Sequence, residues 1–123
     1  MKIVSKKHII TKEYYSNGTL SLIEFSAPGM NINGLEPNAK VLHRLDGPAY
    51  IRYNHQGCKI SELYCKNGKR HNVHGPAHIQ YDNSGYVKSH IWAINGTVYN
   101  FNDWIKLVHL SKVDAVKLKL KFS

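Results

Sequence analysis

Histidine is the residue whose abundance here invites a chemical reading, with eight in a chain of 123. His71, His74 and His78 fall close together, and Cys58 and Cys65 lie a short distance upstream. Imidazole and thiolate are zinc ligands, but such sites use tighter pairs, two to five residues apart, on defined elements. Cys58 and Cys65 would sit at opposite ends of one strand, which separates the thiols, so no metal and no cofactor is expected. His71 and His74 beside Lys69 and Arg70 could in principle serve a small His-dependent nuclease or phosphodiesterase. A catalytic pair must lie within hydrogen-bond reach of its substrate, and nothing in this spacing enforces that. Nucleotide-binding loops and the nucleophile elbow are absent from the sequence. The expectation is therefore a chain without catalytic residues.

Charge offers a stronger lead. The chain carries 17 Lys and Arg against 8 Asp and Glu, a formal net charge of +9. Arg44, Arg52, Lys66, Lys69 and Arg70 are the candidate contacts to an anionic partner, with Tyr50, Tyr53 and Tyr64 interleaved. Positive charge among aromatics is the pattern that holds phosphates and stacks bases. The same residues would suit an acidic protein surface, and the repeat pattern described below makes Tyr53, Tyr64, Tyr81 and Trp92 core residues. Lys106, Lys112, Lys117, Lys119 and Lys121 form a second basic concentration at the C-terminus. Lysines around an apolar stripe can dock on an anionic membrane, although a solvated helix face is the commoner outcome. No apolar run is long enough for a membrane span, and the first residues do not read as a cleaved signal peptide. Two cysteines are too few for a disulfide framework, which points to a cytoplasmic protein.

The elements that must position these residues follow from an internal repeat. His43-Arg44-Leu45-Asp46-Gly47-Pro48-Ala49-Tyr50-Ile51-Arg52-Tyr53 is answered 28 positions later by His71-Asn72-Val73-His74-Gly75-Pro76-Ala77-His78-Ile79-Gln80-Tyr81. The register continues through Gly57 and Gly85, Tyr64 and Trp92, and Asn67-Gly68 and Asn95-Gly96. A fainter copy lies 39 positions upstream of the first, placing Tyr14 on Tyr53, Gly18 on Gly57, Phe25 on Tyr64 and Gly29 on Gly68. Alternating β-branched and aromatic residues predict strands at 9–15, 19–25, 49–53, 59–65, 77–81 and 86–94. Asn-Gly pairs are strong hairpin signals. Pro48 and Pro76 cannot donate an amide hydrogen, so pairing must begin after them. Gly47 and Gly75 are expected to allow an unusual backbone angle or a close approach, and His43 and His71 to satisfy a turn carbonyl.

One hairpin cannot bury its apolar face alone, so a short stack needs a cover. Asn102 and Asp103 are expected to cap a helix over 104–110. Ser111 with Asp114 resembles a capping box for a second helix over 112–120. Val113, Val116, Leu118 and Leu120 would line one side of it. The strict alternation Val116–Phe122 is also a strand pattern, but the start signal favours helix. The expected fold is mainly β with a small α cap: an antiparallel meander of stacked hairpins followed by one or two C-terminal helices. It forms a single domain, 1–123, with a divergent hairpin at 1–29, a loop insertion at 30–42, repeats at 43–70 and 71–100, and a cap at 101–123.

The residues His43, Arg44, Asp46, Gly47, Pro48, Ala49, Tyr64, Asn67, Gly68 and Lys69, with His71, Gly75, Pro76, Ala77, Trp92, Asn95 and Gly96, resemble degenerate MORN-like hairpin repeats. Such repeats are common in proteins of tailed phages and large viruses. Asn72 and His74 depart from the pattern, which has Arg and Asp there. The resemblance covers about half of the chain and implies a non-enzymatic module, phage-encoded, that binds or inhibits a host factor, with counter-defence as one role. A nucleic-acid or nucleotide sequestering protein is the alternative. Uncovered edge strands pair readily, so a homodimer is also an expectation.

Overall fold

The computed structural model describes residues 9–28 and 40–122. Antiparallel strands β1 (Ile9–Tyr14), β2 (Leu20–Pro28), β4 (Tyr50–Tyr53), β5 (Lys59–Leu63), β8 (His78–Tyr81), β9 (Val87–Ile94) and β10 (Thr97–Tyr99) lie side by side in that order. Between them β3 (Lys40–Leu42) pairs with the end of β2, and β6 (Cys65–Lys66) pairs with β7 (Lys69–Arg70). Two helices follow, α1 (Phe101–Leu107) and α2 (Lys112–Lys121). This is the expected meander with a helical cap. One boundary differs from expectation here. Residues 40–42 of the supposed loop insertion are a strand, because Val41 and Leu42 take the place in the short hairpin that Lys69 and Arg70 take 28 positions later. Gly29 and residues 30–39 of the insertion fall outside the described residues.

The backbone hydrogen bonds recur with the sequence. Gly18, Gly57 and Gly85 donate to Tyr15, Asn54 and Asp82 respectively, closing three like turns. Each turn is preceded by a bulge, at Glu13/Tyr14, Arg52/Tyr53 and Gln80/Tyr81. Phe25 N–H donates to Ala49 O at 2.7 Å, as Tyr64 N–H does to Ala77 O at 2.6 Å. Pairing does begin just after the prolines, where Ala49 and Ala77 donate to Leu63 and Ile91. Both alanines are fully buried, so a larger side chain there has no room to enter.

The repeated Gly-Pro turn has a more specific construction than the sequence suggested. Arg44 Nη1 donates to the Pro48 carbonyl at 3.2 Å, and Asn72 Nδ2 donates to the Pro76 carbonyl at 3.0 Å. Asn therefore replaces Arg without loss of the bond, which explains that departure between copies. Gly47 has no left-handed angle; a Cβ there would stand 2.8 Å from the Arg44 guanidinium carbon, so the Arg44 side chain would have to shift. At Gly75 an added Cβ would meet nothing closer than 3.7 Å. The left-handed angles occur instead at Asn67-Gly68 and Asn95-Gly96, both tight hairpin turns, and at Gly18, Gly57 and Gly85 of the other turns.

At the two Asn-Gly turns His43 and His71 act as acceptors. The Asn67 N–H donates to His43 Nδ1 at 2.9 Å, and the Asn95 N–H donates to His71 Nδ1 at 3.0 Å. A ring nitrogen can accept only while unprotonated, so these turns require neutral imidazole. Burial, and then the charge of Lys66, lowers the His71 pKa below its ordinary 6.5. Burial, and then Arg70, does the same to His78. For a group whose folded pKa is depressed, the unfolded chain binds the proton first, so stability falls as pH falls. The stabilisation is complete above about pH 6.5 and is lost as pH drops through the depressed value. Melting temperature should therefore decline on acidification. His71→Gln keeps an acceptor without the titration and should flatten part of that decline; an unchanged slope would show that this bond is not the cause.

The helices cover one face of the sheet over its C-terminal half. Ile79, Trp92, Trp104, Val108 and Phe122 form the buried cluster. The first helix begins at Phe101 rather than at Trp104, because Asn100 is its cap: Asn100 Oδ1 accepts from the Asp103 N–H at 2.8 Å. The second begins as expected, with Ser111 Oγ accepting from the Asp114 N–H at 3.1 Å. Its inward side is Ala115, Leu118 and Phe122, however. Val113, Val116 and Leu120 point away from the body at 63%, 56% and 75% exposure. Leu118 lies on the opposite side from them, because positions two apart on a helix diverge by about 200°. Among the described residues no helix is long and apolar enough to cross a membrane.

Candidate anion-binding face

The strand period of two sorts the side chains onto two faces. Across β2, β4, β5, β8 and β9, one row on the face away from the helices reads Leu22, Arg52, Ser61, Gln80 and Ser89. The adjacent row reads Glu24, Tyr50, Leu63, His78 and Ile91. A groove of about 480 Å³ crosses this face, lined by Tyr50, Arg52, Ser61, His78, Gln80 and Lys88, and it ends at the Asp82-Asn83 turn. Arg52 and Gln80 are exposed, whereas Ser61 is buried. Ser61 Oγ and His78 Nε2 lie 3.3 Å apart, and Ser89 Oγ donates to Gln80 Oε1 at 2.8 Å. The floor is thus a pre-ordered polar surface with a cation at either end, Arg52 on β4 and Lys88 on β9.

The five predicted anion contacts do not converge on one point. Lys66, Lys69 and Arg70 lie together on the β6–β7 hairpin. Arg70 is close enough to His78 to depress its pKa, which joins the hairpin electrostatically to the groove that holds Arg52. The Lys69 stem packs beside the next hairpin, with its Cβ and Cδ about 3.5 Å from where a Cβ on Gly96 would stand. The Arg44 side chain lies apart from both the hairpin and the groove. Its guanidinium is engaged by Asp46 at 3.0 Å and by the Pro48 carbonyl, and lies 4.0 Å over the Phe25 ring. Those contacts tie it to its own turn. Of the residues assigned to the repeat framework, Trp92, Gly75 and Pro76 are buried, while His43, Gly47, Pro48, Tyr64 and His71 are half-buried.

A second concavity, of about 440 Å³, opens between the two Gly-Pro turns and α2, lined by Asp46, Glu62, Tyr64, His74, Tyr81 and Lys121 among others. Glu62 is only 8% exposed and sits in register between Ile51 and Ile79. Tyr81 Oη donates to its Oε1 at 2.6 Å, and Lys59 Nζ to its Oε2 at 3.0 Å. Burial, followed by the hydrogen bond to Glu62 and the Glu62 and Tyr64 charges, drives the Tyr81 phenol far above its ordinary 10. Burial and the Glu62 charge also raise Tyr64, with Arg44 opposing. Because both Glu62 oxygens are occupied, this arrangement reads first as a structural network.

The histidines and cysteines weighed for metal chemistry are dispersed. His71 is held at the Asn95 turn, His74 lines the cleft beside α2, and His78 lies on the open face. Cys58 is exposed and Cys65 buried, and among the described residues no three His, Cys, Asp or Glu side chains converge as a metal site would require. Sequence reading missed Lys88, Gln80 and Ser61 as groove residues, and Glu62 as a buried carboxylate. The groove residues were recoverable: Tyr50 and Arg52 two apart, repeated 28 positions later as His78 and Gln80, must share a face. No known family model, curated protein or solved structure matches the chain.

Proposed function

We propose that this chain is a non-enzymatic repeat-built binding protein whose open sheet face engages an acidic macromolecule. The observation that carries the reading is the groove itself, where Arg52 and Lys88 flank Tyr50, His78 and Gln80 and neither described helix lies across. A rigid sheet supports these donors, so little conformational entropy is spent in ordering them on contact. The resemblance to viral repeat modules makes a host protein in the cytoplasm the class of partner, with inhibition as the outcome. Pairing of a second copy along the edge strand β1 belongs to the same proposal, and equilibrium sedimentation tests it.

The rings of Tyr50 and His78 beside two cations also support a second reading, single-stranded nucleic acid held by stacking and phosphate contacts. Fluorescence anisotropy with a labelled homopolymer oligonucleotide separates the two. If Arg52, Lys88 and Arg70 neutralise about three phosphates, binding should weaken about twentyfold between 50 and 200 mM salt. Arg52→Ser with Lys88→Ser should abolish most of that slope. Absence of oligonucleotide binding at the lower salt removes the second reading and leaves the protein partner.

A further inference from the structure

The outward side of α2 is built unlike the rest of the surface. Val113, Val116 and Leu120 recur at helical spacing and form one continuous ridge, each more than half exposed. The packed side, Ala115, Leu118 and Phe122, has the same spacing and lies opposite. Lysines occupy both flanks between these stripes. At about 100° per residue, Lys112 and Lys119 fall along one side of the ridge and Lys117 and Lys121 along the other. Asp114, the residue whose amide Ser111 caps, is the one acid on the helix. The helix thus carries an exposed apolar crest bordered by two rows of ammonium groups.

From this arrangement we infer that α2 docks the protein on an anionic phospholipid surface, lying parallel to it with the ridge at the acyl boundary. A crest of three branched side chains is convex, so it offers no groove to a partner peptide. A bilayer interface deforms around such a crest, and lysine stems lie along it while their ammonium groups reach phosphates on both flanks. Anionic headgroups complement that double row. A second copy of the chain fits poorly, because ridge-to-ridge packing would bring the lysine rows together with a single Asp114 from each helix to offset them. The surface is separate from the open sheet face and does not depend on its role.

Co-sedimentation with phosphatidylcholine vesicles, with and without about 30% phosphatidylglycerol and at about 0.15 M salt, tests the inference. Binding is expected to the anionic vesicles alone. The triple variant Val113→Ser, Val116→Ser, Leu120→Ser keeps every charge and alters only exposed side chains, so circular dichroism should show an intact fold. It should lower partitioning about tenfold or more, since apolar insertion and charge act together at an interface. Lys117→Gln with Lys119→Gln should also reduce it, while Arg52→Ser with Lys88→Ser should leave it unchanged. The inference is overturned if vesicles are not bound, or if the triple variant binds as well as the parent, which would mean bare electrostatic adhesion. It is equally overturned if the groove variant is the one that loses binding, or if the triple variant converts a dimer to a monomer.

Discussion

Trp104→Ala should cost about 3–5 kcal/mol, the range for removing a large aromatic from a closed core. The indole is fully buried, its ring centre lies 4.6 Å from that of Trp92, and its Nε1 donates to the Asn72 carbonyl at 3.1 Å. The last contact matters because it ties α1 to the turn at the start of the second repeat. Losing the side chain leaves a cavity among Ile79, Trp92, Val108 and Phe122 and also strips that carbonyl of its partner. For a chain of this size about 1 kcal/mol corresponds to roughly 4 °C in Tm, so a fall of at least 10 °C is expected. Trp104→Phe restores the ring but not the donor and should recover more than half of the loss. A fall of only a few degrees for Trp104→Ala would mean that the helices are an optional cover.

The second large effect concerns Glu62. Glu62→Ala removes the acceptor of the Tyr81 hydroxyl in a half-buried site, and an unsatisfied buried donor costs about 1–3 kcal/mol. Lys59, 42% exposed at its side chain, can turn to water and adds little. Glu62→Gln keeps a carbonyl oxygen for Tyr81 while removing the charge, and should cost less than half as much. The phenol supplies an independent readout. Its pKa is raised, so the folded chain holds that proton more firmly; the stabilisation is present below about pH 10 and is lost as pH rises beyond it. Ultraviolet titration should show Tyr81 and Tyr64 resisting ionisation in the parent and titrating earlier in Glu62→Gln. Equal destabilisation by Ala and Gln would contradict a hydrogen-bond role and assign the effect to charge alone.

The two effects sit at different removes from the sequence. Trp92 was legible as a core position because it recurs in register with Tyr64, although Tyr64 itself is only half-buried, and recurrence at 28 residues reflects one packing problem solved repeatedly. Trp104 was legible only as part of a helix whose start was placed three residues late. Asn100, Asn102 and Asp103 are all acceptable caps by type, and the choice among them depends on where β10 ends. Glu62 gave no sequence signal as a buried residue. Its strand neighbours are Ile51 and Ile79, far away in the chain, and only the register of β4, β5 and β8 puts a carboxylate between them.

Local chemistry set what the sequence could determine: turns at Asn-Gly, the start of pairing after Gly-Pro, alternating strands, a repeat period and a Ser111-capped final helix. These depend on residues within a few positions of one another, or on the same pattern met again. The tertiary structure decided which side of α2 faces inward, that Arg44 is tied into its own turn, and that His43 and His71 accept hydrogen bonds. It also decided that Arg52, His78 and Lys88 share one groove. The Arg44 turn closes within four residues, but the others depend on strands and turns distant in the chain, as His78 meets Ser61 across 17 residues and Asn67 meets His43 across 24. The positive charge was plain from the first count. Its division between an open sheet face and a lysine-bordered helix crest is a property of the fold.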